Sequence, residues 1–576
     1  MQFRRIPNML MASAVVLIAL ATPTYSQTAA DNSSKDSVKR DDVSLLKQQI
    51  AEQQKQIEQL RTIVDQMKQK LDQSPNPAQT AATPATTPMP SLGQVASTTS
   101  IIPKGDSKTG VDLSGSSLHD MMTSAAPSPG VGSAPAKALN PQEEPKTSPL
   151  FFRIGDAQFT PGGFMDLTDY FRTANTTSTI GTSFGSIPYA VTGGTLNPNS
   201  QLTENHLTLQ NSRISLKATS NVGETSVTGY VEADFLGNNA TSLFQTSNAS
   251  TLRMRLYWAD LVRGKWEVLG GQSWSMMTPG RTGISPVPSD LFYSQDMDTN
   301  YQVGLTWSRQ AQFRVLYHPS KEWVMGVSFE NSDQFMTSAV NLPGGSSGTY
   351  ASQFDIGGNT TGSPNLMPDI VAKIAYDPMI GGKHMHAEIG GLLSSFKDNT
   401  ATNTKNTAVG GGVTGGLNLE VVKDLHFILN GFYSSGGGRY IFGLGPDVVV
   451  KPDGSLATVR SGSGIVGFEY QLKKTMFYAY YGGAYFDQAY YVASVKSGVP
   501  SYVGFGYPGS ANSSNRVINE ATVGFIQTFW KNPKYGALQW INQYSYLDRA
   551  PWFVATGSAK DAHVSMVYTD LRYVLP

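Results

Sequence analysis

"SRISLKATSNVGETSVTGYVEADFLG", residues 212–237, decides how the chain folds. It reads as two strands joined at Asn221-Val222-Gly223, and each strand alternates apolar and polar residues. Ile214, Leu216 and Ala218 share one face with Val227, Val231, Ala233 and Phe235; Arg213, Ser215 and Lys217 share the other with Thr228, Tyr230, Glu232 and Asp234. A period of two places successive side chains on opposite faces of a strand, so the two faces of this hairpin meet different surroundings. A half-buried hairpin in water would alternate in the same way. The medium on each side is settled by the rest of the chain.

Sixteen alternating runs, an even number, follow one another between Gly163 and Val574. The gaps between them are sorted. After even-numbered runs they are short, among them "SNVG" (220–223), "RG" (263–264), "HPSK" (318–321), "KD" (423–424) and "KK" (473–474); after odd-numbered runs they are long, as at 173–205, 273–299, 331–366, 435–460 and 488–516. This parity depends on reading "YQVGLTWSRQAQFRVLY" (301–317) as one long strand. Short turns on one rim and long loops on the other are the habit of a transmembrane barrel. A closed sheet is the one β-structure whose backbone groups are all satisfied in hydrocarbon. The apolar face is therefore assigned to lipid and the charged face to water inside. The expected fold is all-β: a 16-stranded antiparallel transmembrane β-barrel over 150–576. Trp266, Trp530, Trp540, Tyr546 and Tyr573 lie near strand ends, as aromatic girdle residues do.

Three segments are expected before the barrel. Residues 1–26 carry Arg4 and Arg5, an apolar run from Met9 to Ala21, and Thr24 and Ser26 as small residues before a cleavage point, which is the pattern of a secretory signal peptide. In 41–73, Val43, Leu46, Ile50, Gln53, Ile57, Leu60, Val64, Met67 and Leu71 occupy the a and d positions of four heptads, the seam of an α-helical coiled coil. Ile and Val at a with Leu at d lean toward a dimer. Ile63 at a g position, and Lys47, Arg61 and Lys68 at e positions without acidic g partners, favour a trimer. Residues 74–149 are rich in Pro, Ala, Ser, Thr and Gly without periodicity, the composition of a disordered linker.

Composition excludes several functions. Lys plus Arg and Asp plus Glu stand at 43 each, so no charge imbalance points to nucleic acid. There is no cysteine, which removes disulfides, thiolate metal sites and Cys nucleophiles together. The 57 Gly, 26 Tyr and 25 Phe suit long strands joined by many turns.

Alternation assigns lumen positions on the early strands: Arg213 and Lys217, then Glu232 and Asp234, then Arg253 and Arg255, then Gln310, Gln312 and Arg314. A basic ladder along one wall attracts carboxylates, which guanidinium groups grip in bidentate fashion. The plainer reading pairs these cations with Glu232 and Asp234 as a hydrated wall. On the second strand the phase slips between Leu209 and Ile214, which places a bulge near Asn211.

"QNSRISLKA", "GYVEADFLG", "VLGGQSWS" and "SRQAQFRVLY" resemble the DcaP-like trimeric porins of the Gram-negative outer membrane. The resemblance implies a sixteen-stranded barrel, a homotrimer, a coiled coil on the periplasmic side, and uptake of small anionic solutes including dicarboxylates. The chain departs from the family in its long linker and in ending "RYVLP" rather than on an aromatic residue. By the same resemblance the third long loop, with Arg281, Asp290, Asp296 and Asp298, is expected to fold into the lumen as a constriction, or alternatively to pack on a neighbouring subunit.

Enzyme signals are poor. "GTSFG" (181–185) fits a nucleophile-elbow pattern but opens no helix, and "GGGVTG" (410–415) fits a dinucleotide fingerprint inside a strand. His384 and His386 share a strand face with no evident third ligand, and read as ordinary exposed histidines. The expected function is diffusion of small hydrophilic, anionic solutes through an outer-membrane barrel, without catalysis, metal or cofactor. The rival is a structural envelope barrel, its lumen plugged and its coiled coil docked on a periplasmic partner.

Overall fold

The computed structural model describes residues 150–182, 184–237, 250–291, 302–344, 347–358 and 362–576. The expected signal peptide, coiled coil and linker, with every seam residue from Val43 to Leu71, lie outside them, as do Ser183, Asp296 and Asp298.

Sixteen strands follow one another around a single sheet: β1 Ala157–Arg172, β2 Arg213–Val222, β3 Thr225–Asp234, β4 Arg253–Arg263, β5 Trp266–Trp274, β6 Arg309–Tyr317, β7 Trp323–Glu330 and β8 Asp369–Tyr376. The second half is β9 Lys383–Asn399, β10 Lys405–Val422, β11 Leu425–Ser435, β12 Arg460–Leu472, β13 Thr475–Phe486, β14 Asn515–Asn532, β15 Gly536–Pro551 and β16 Ala562–Val574. Each pairs antiparallel with the next. The cylinder closes where Phe164–Arg172 of β1 pairs with Val574–Met566 of β16. Closure leaves no sheet edge in hydrocarbon, where an unpaired N–H or C=O would cost several kcal/mol.

The opening hairpin shows why these residues make a wall. Ile214 and Leu216 point outward, uncovered by protein, while Arg213, Glu232 and Asp234 point inward and are 2%, 4% and 1% exposed. The outward set continues around the cylinder with Met254, Phe313, Met325, Val327, Ile374, Ile389, Val413, Phe468, Val523 and Leu571. A Lys or Arg at such a position near the bilayer midplane costs about 2–4 kcal/mol. The turn between β2 and β3 is Gly223-Glu224, one step later than the sequence suggests; Gly223 has φ +60°, which glycine adopts without a Cβ penalty.

Two irregularities change the phase of side chains. The second strand is interrupted: Glu204–Thr208 and Arg213–Val222 both pair with β1, and Leu209 O accepts from Ser212 N at 3.0 Å between them. On β4 the register shifts opposite Glu232 and Ala233, so Arg255 and Leu256 both turn inward and Trp258 and Asp260 follow.

The sixth run needs a correction. Its strand begins at Arg309; Gln302–Ser308 leaves the wall and lies inside, with Trp307 N donating to Tyr440 O at 3.1 Å. Polar groups of other elements hold this segment: Gln302 Nε2 donates to Glu520 O at 2.7 Å and Val303 N to Glu520 Oε2 at 2.8 Å. The strand count and the parity of turns are unchanged.

Several long loops enter the mouth, while the one after β13 forms a hairpin, Ala489–Lys496 with Val499–Phe505, whose tip is exposed. Arg549 of β15 donates from Nε to Ile187 O at 2.8 Å, and Arg172 of β1 donates to Ile180 O at 2.8 Å. Phe184, Met277, Met336, Phe442, Val448, Val449 and Val450 are buried among these loops. They form an apolar layer across the long-loop end.

Candidate functional site

The lumen wall is built by alternation, and β2 to β6 bring the expected residues onto one side. Asp234 accepts both Nε and Nη2 of Arg253, at 3.0 and 2.8 Å. Arg255 donates from Nε to Glu232 Oε1 at 2.5 Å and from Nη1 to Asp234 Oδ2 at 3.0 Å. Arg213 lies over the Phe164 ring, its guanidinium 5.2 Å from the centroid. Arg309 and Arg255 both approach Trp274, at 5.7 and 5.8 Å. Arg253 and Arg255 therefore stand in a hydrogen-bonded network with two acids, and the two-pronged contact with Asp234 fixes the plane of the Arg253 guanidinium. Arg255 is fully buried, whereas the Arg253 side chain keeps 14% of its surface open. Lys217 is exposed near the short turn.

Gln312 donates to Trp274 O at 2.8 Å, and the Gln310 and Ser308 side chains lie 2.6 Å apart. Arg314 is buried beside Asp260, Glu267 and Glu330; its Nε and Nη2 have no hydrogen-bond partner among the described residues.

Of the third long loop, the described residues 275–291 and 302–308 lie within the barrel. Its first leg is tied at Met276, whose N donates to Glu330 Oε1 at 2.9 Å. Arg281 makes a two-pronged pair with Glu469 of β12, both contacts 3.0 Å. Asp290 O accepts from Arg281 N, and Ser285 Oγ donates to Asp290 Oδ2 at 3.1 Å, so Asp290 braces the bend behind Arg281. The returning leg is tied at Val303, whose N donates to Glu520 Oε2 of β14 at 2.8 Å. The loop thus reaches from its own strands to the far wall.

Several of these partners were not singled out from the sequence. Glu388, Glu469 and Glu520 sit on the inward phase of β9, β12 and β14, and alternation on those later strands would have marked them. His386 needs a correction: it is fully buried, not exposed, with Nδ1 2.8 Å from Asp377 Oδ1 and Nε2 3.2 Å from Glu388 Oε2. The "GGGVTG" stretch lies within β10, where a strand rather than a phosphate-binding turn is formed. Among the described residues no group of three His, Asp or Glu side chains is placed to hold a metal ion.

At the long-loop end, Arg439 pairs with Asp369, and Tyr440 Oη donates to the same carboxylate at 2.8 Å. Burial pushes the Asp447 carboxyl beside them well above the usual carboxylate range, against the pull of Arg439.

No protein-family model and no curated protein matches the chain. Among solved structures it is similar to the outer membrane channel DcaP of Acinetobacter baumannii, with a TM-score of 0.52 and 17% identity over 73% of this chain and 99% of that one. It also aligns with OmpT, an outer membrane protein of Vibrio cholerae, at a TM-score of 0.38 and 11% identity, over 74% and 99% of the two chains. OmpF of Salmonella typhi in complex with daunomycin aligns at 0.38 and 9% identity, over 73% and 100%. The likeness to DcaP is one of fold, and the closed sixteen-stranded antiparallel barrel is the one the sequence led one to expect.

Proposed function

We propose that the chain is an outer-membrane porin through which small hydrophilic solutes diffuse, with a preference for anions such as dicarboxylates. One observation carries this reading: a closed wall, apolar outside and charged inside, holds a long loop across its lumen. Diameter, lining charge and a constriction are all that a diffusion pore requires. The anion preference is supported by Arg213, Arg253, Arg255 and Arg309, four guanidinium groups grouped around the two carboxylates of Glu232 and Asp234. In this reading Lys217, Gln310, Gln312 and Arg314 line the same path, and Arg281 and Asp290 shape the constriction together with Asp296 and Asp298. The short-turn rim faces the periplasm, and residues 41–73 join three copies there through their coiled coil.

A second reading is favoured by the apolar layer of loops across the long-loop end: a barrel with a closed lumen that serves the envelope as a structural element. Single-channel recording of the purified full chain in a planar bilayer separates the two. A porin passes steady current whose reversal potential in a salt gradient lies on the anion side. Silence at every voltage, with the barrel inserted, would leave the structural reading.

A further inference from the structure

The segment Thr278–Gly283 of the third long loop reaches toward the short-turn rim, where four ionisable side chains meet it. Gly283 N donates to Asp377 Oδ2 at 2.9 Å, and Gly280 N donates to Glu388 Oε2 at 3.1 Å. Lys373 of β8 donates from Nζ to Thr278 O at 2.8 Å and pairs with Glu388 Oε1 at 3.0 Å. Between the two carboxylates lies the His386 ring, with a carboxylate oxygen on each nitrogen at 2.8 and 3.2 Å.

An ionised carboxylate accepts hydrogen bonds and donates none, so both contacts are hydrogen bonds when both ring nitrogens carry protons. A neutral imidazole carries one. Losing a proton therefore turns a donor into a lone pair that faces a carboxylate, and the weakened group is the same one that holds a loop amide. Among the described residues the charges near the ring are Asp377 from the turn after β8, Glu388 and His384 from β9, and Lys373 from β8 on Glu388; Glu420 of β10 and His426 of β11 lie beyond His384, and Arg281 of the loop, near His426, is engaged by Glu469 of β12. His384 Nε2 is 3.7 Å from Asp377 Oδ1, a longer contact that supplements the first without bridging to Glu388.

We propose that His386 is a proton-operated latch that positions the constriction loop: the doubly protonated ring clamps Asp377 and Glu388, and through them Gly283 and Gly280, against the wall. Release of one ring proton to solvent loosens the loop at Gly280 and Gly283, with Thr278 still held by Lys373 and Arg281 by Glu469, and changes the constriction. This deepens the porin reading and depends on it for the effect on current, but the loop movement stands apart from conduction.

The absence of cysteine in the sequence makes the loop movement directly readable. Thr282→Cys, introduced into the full chain and carrying a nitroxide, is followed by electron paramagnetic resonance in detergent while pH is raised through the imidazole titration. The latch requires the label to become more mobile as the ring loses its proton, and requires His386→Gln, which cannot titrate, to remove that pH dependence. Conductance of the unlabelled chain should change over the same interval and lose the change in His386→Gln. A label whose mobility stays constant across the titration in the chain that keeps His386 overturns the latch, even if the His386→Gln variant fails to assemble. So does a mobility profile that is identical with and without the His386→Gln change. A mobile label in a chain that passes no current retains the latch and removes the porin reading.

Discussion

Arg572, on the last strand, donates from Nε to Asp166 on the first at 2.8 Å, across the seam where the barrel closes. Asn211 donates to the same Asp166 oxygen at 3.0 Å, Thr168 donates to the other at 2.5 Å, and Arg572 also reaches Asp570 at 3.1 Å. The seam thus has a buried cation between two carboxylates in addition to its ladder of backbone bonds. Removing one partner of a buried pair leaves uncompensated charge and costs about 3–5 kcal/mol. Arg572→Met is expected to lower the temperature at which the folded barrel is lost in detergent, read by heat-modified mobility on a gel. An unchanged transition would mean that the backbone ladder alone secures the seam.

Arg253 and Arg255 share a strand and a pair of acids but differ in what they meet. The open part of Arg253 is expected to bear on solutes, whereas Arg255 sits closed between Glu232 and Asp234. Arg253→Gln should reduce anion over cation permeability with little loss of stability. Arg255→Gln should instead cost roughly 3–5 kcal/mol, because two buried carboxylates lose their shared cation. Replacing both with Glu should lower anion preference most. Reversal potentials in a salt gradient and thermal melts of the same preparations decide the matter; equal effects of the two single changes on selectivity would refute the division of roles.

The Arg281–Glu469 pair joins residues 188 positions apart. Charge-assisted hydrogen bonds of this kind contribute about 1.5–3 kcal/mol when removed one at a time. Arg281→Ala is expected to let the loop swing from β12, which widens the lumen and raises single-channel conductance with more open-channel noise. Conductance equal to that of the unaltered chain would show that the narrowest point lies elsewhere.

How much of this was legible follows from the range of each interaction. The strands were legible because a period of two is local, and so were Arg213, Glu232, Asp234 and Arg253, which alternation alone turns inward. The inward turn of Leu256 was not, because a bulge opposite Glu232 and Ala233 resets the phase within one residue. Nor was the start of β6 at Arg309: Gln302–Ser308 alternates like a strand, and the groups it meets inside, Glu520 among them, lie far along the chain, 217 residues from Val303 in that case. His386 illustrates the same limit. Its strand face was readable, but the loop that buries it arrives from 108 positions away, the separation of Gly280 and Glu388.

Residues 41–73 lie outside the described part of the chain, and their heptads lead to a prediction of assembly rather than of conduction. Deleting them is expected to weaken trimers, measured by chemical cross-linking in detergent, while single barrels still pass current. Loss of all current on deletion would mean that this segment shapes the channel itself.

Gly482 faces inward on β13, where the returning leg of loop 275–308 passes backbone against backbone. A Cβ on Gly482 would collide with the carbonyl oxygen of Val303, and one on Gly304, which has φ +102°, would collide with the carbonyl oxygen of Gly464. Because the obstacle in each case is main chain, no side-chain rotation relieves it. Gly482→Ala should therefore push the leg off the wall, break the Val303 N to Glu520 contact, and cost about 1–3 kcal/mol, the usual penalty of overpacking. Gly270→Ala on β5 is the matched control, since nothing lies within 4 Å of a Cβ there. The Gly482 variant should melt earlier and show altered conductance while the Gly270 variant shows neither. If both behave like the unaltered chain, the returning leg does not rest on β13, and the loop's far anchor must be sought at Arg281 and Glu469 alone.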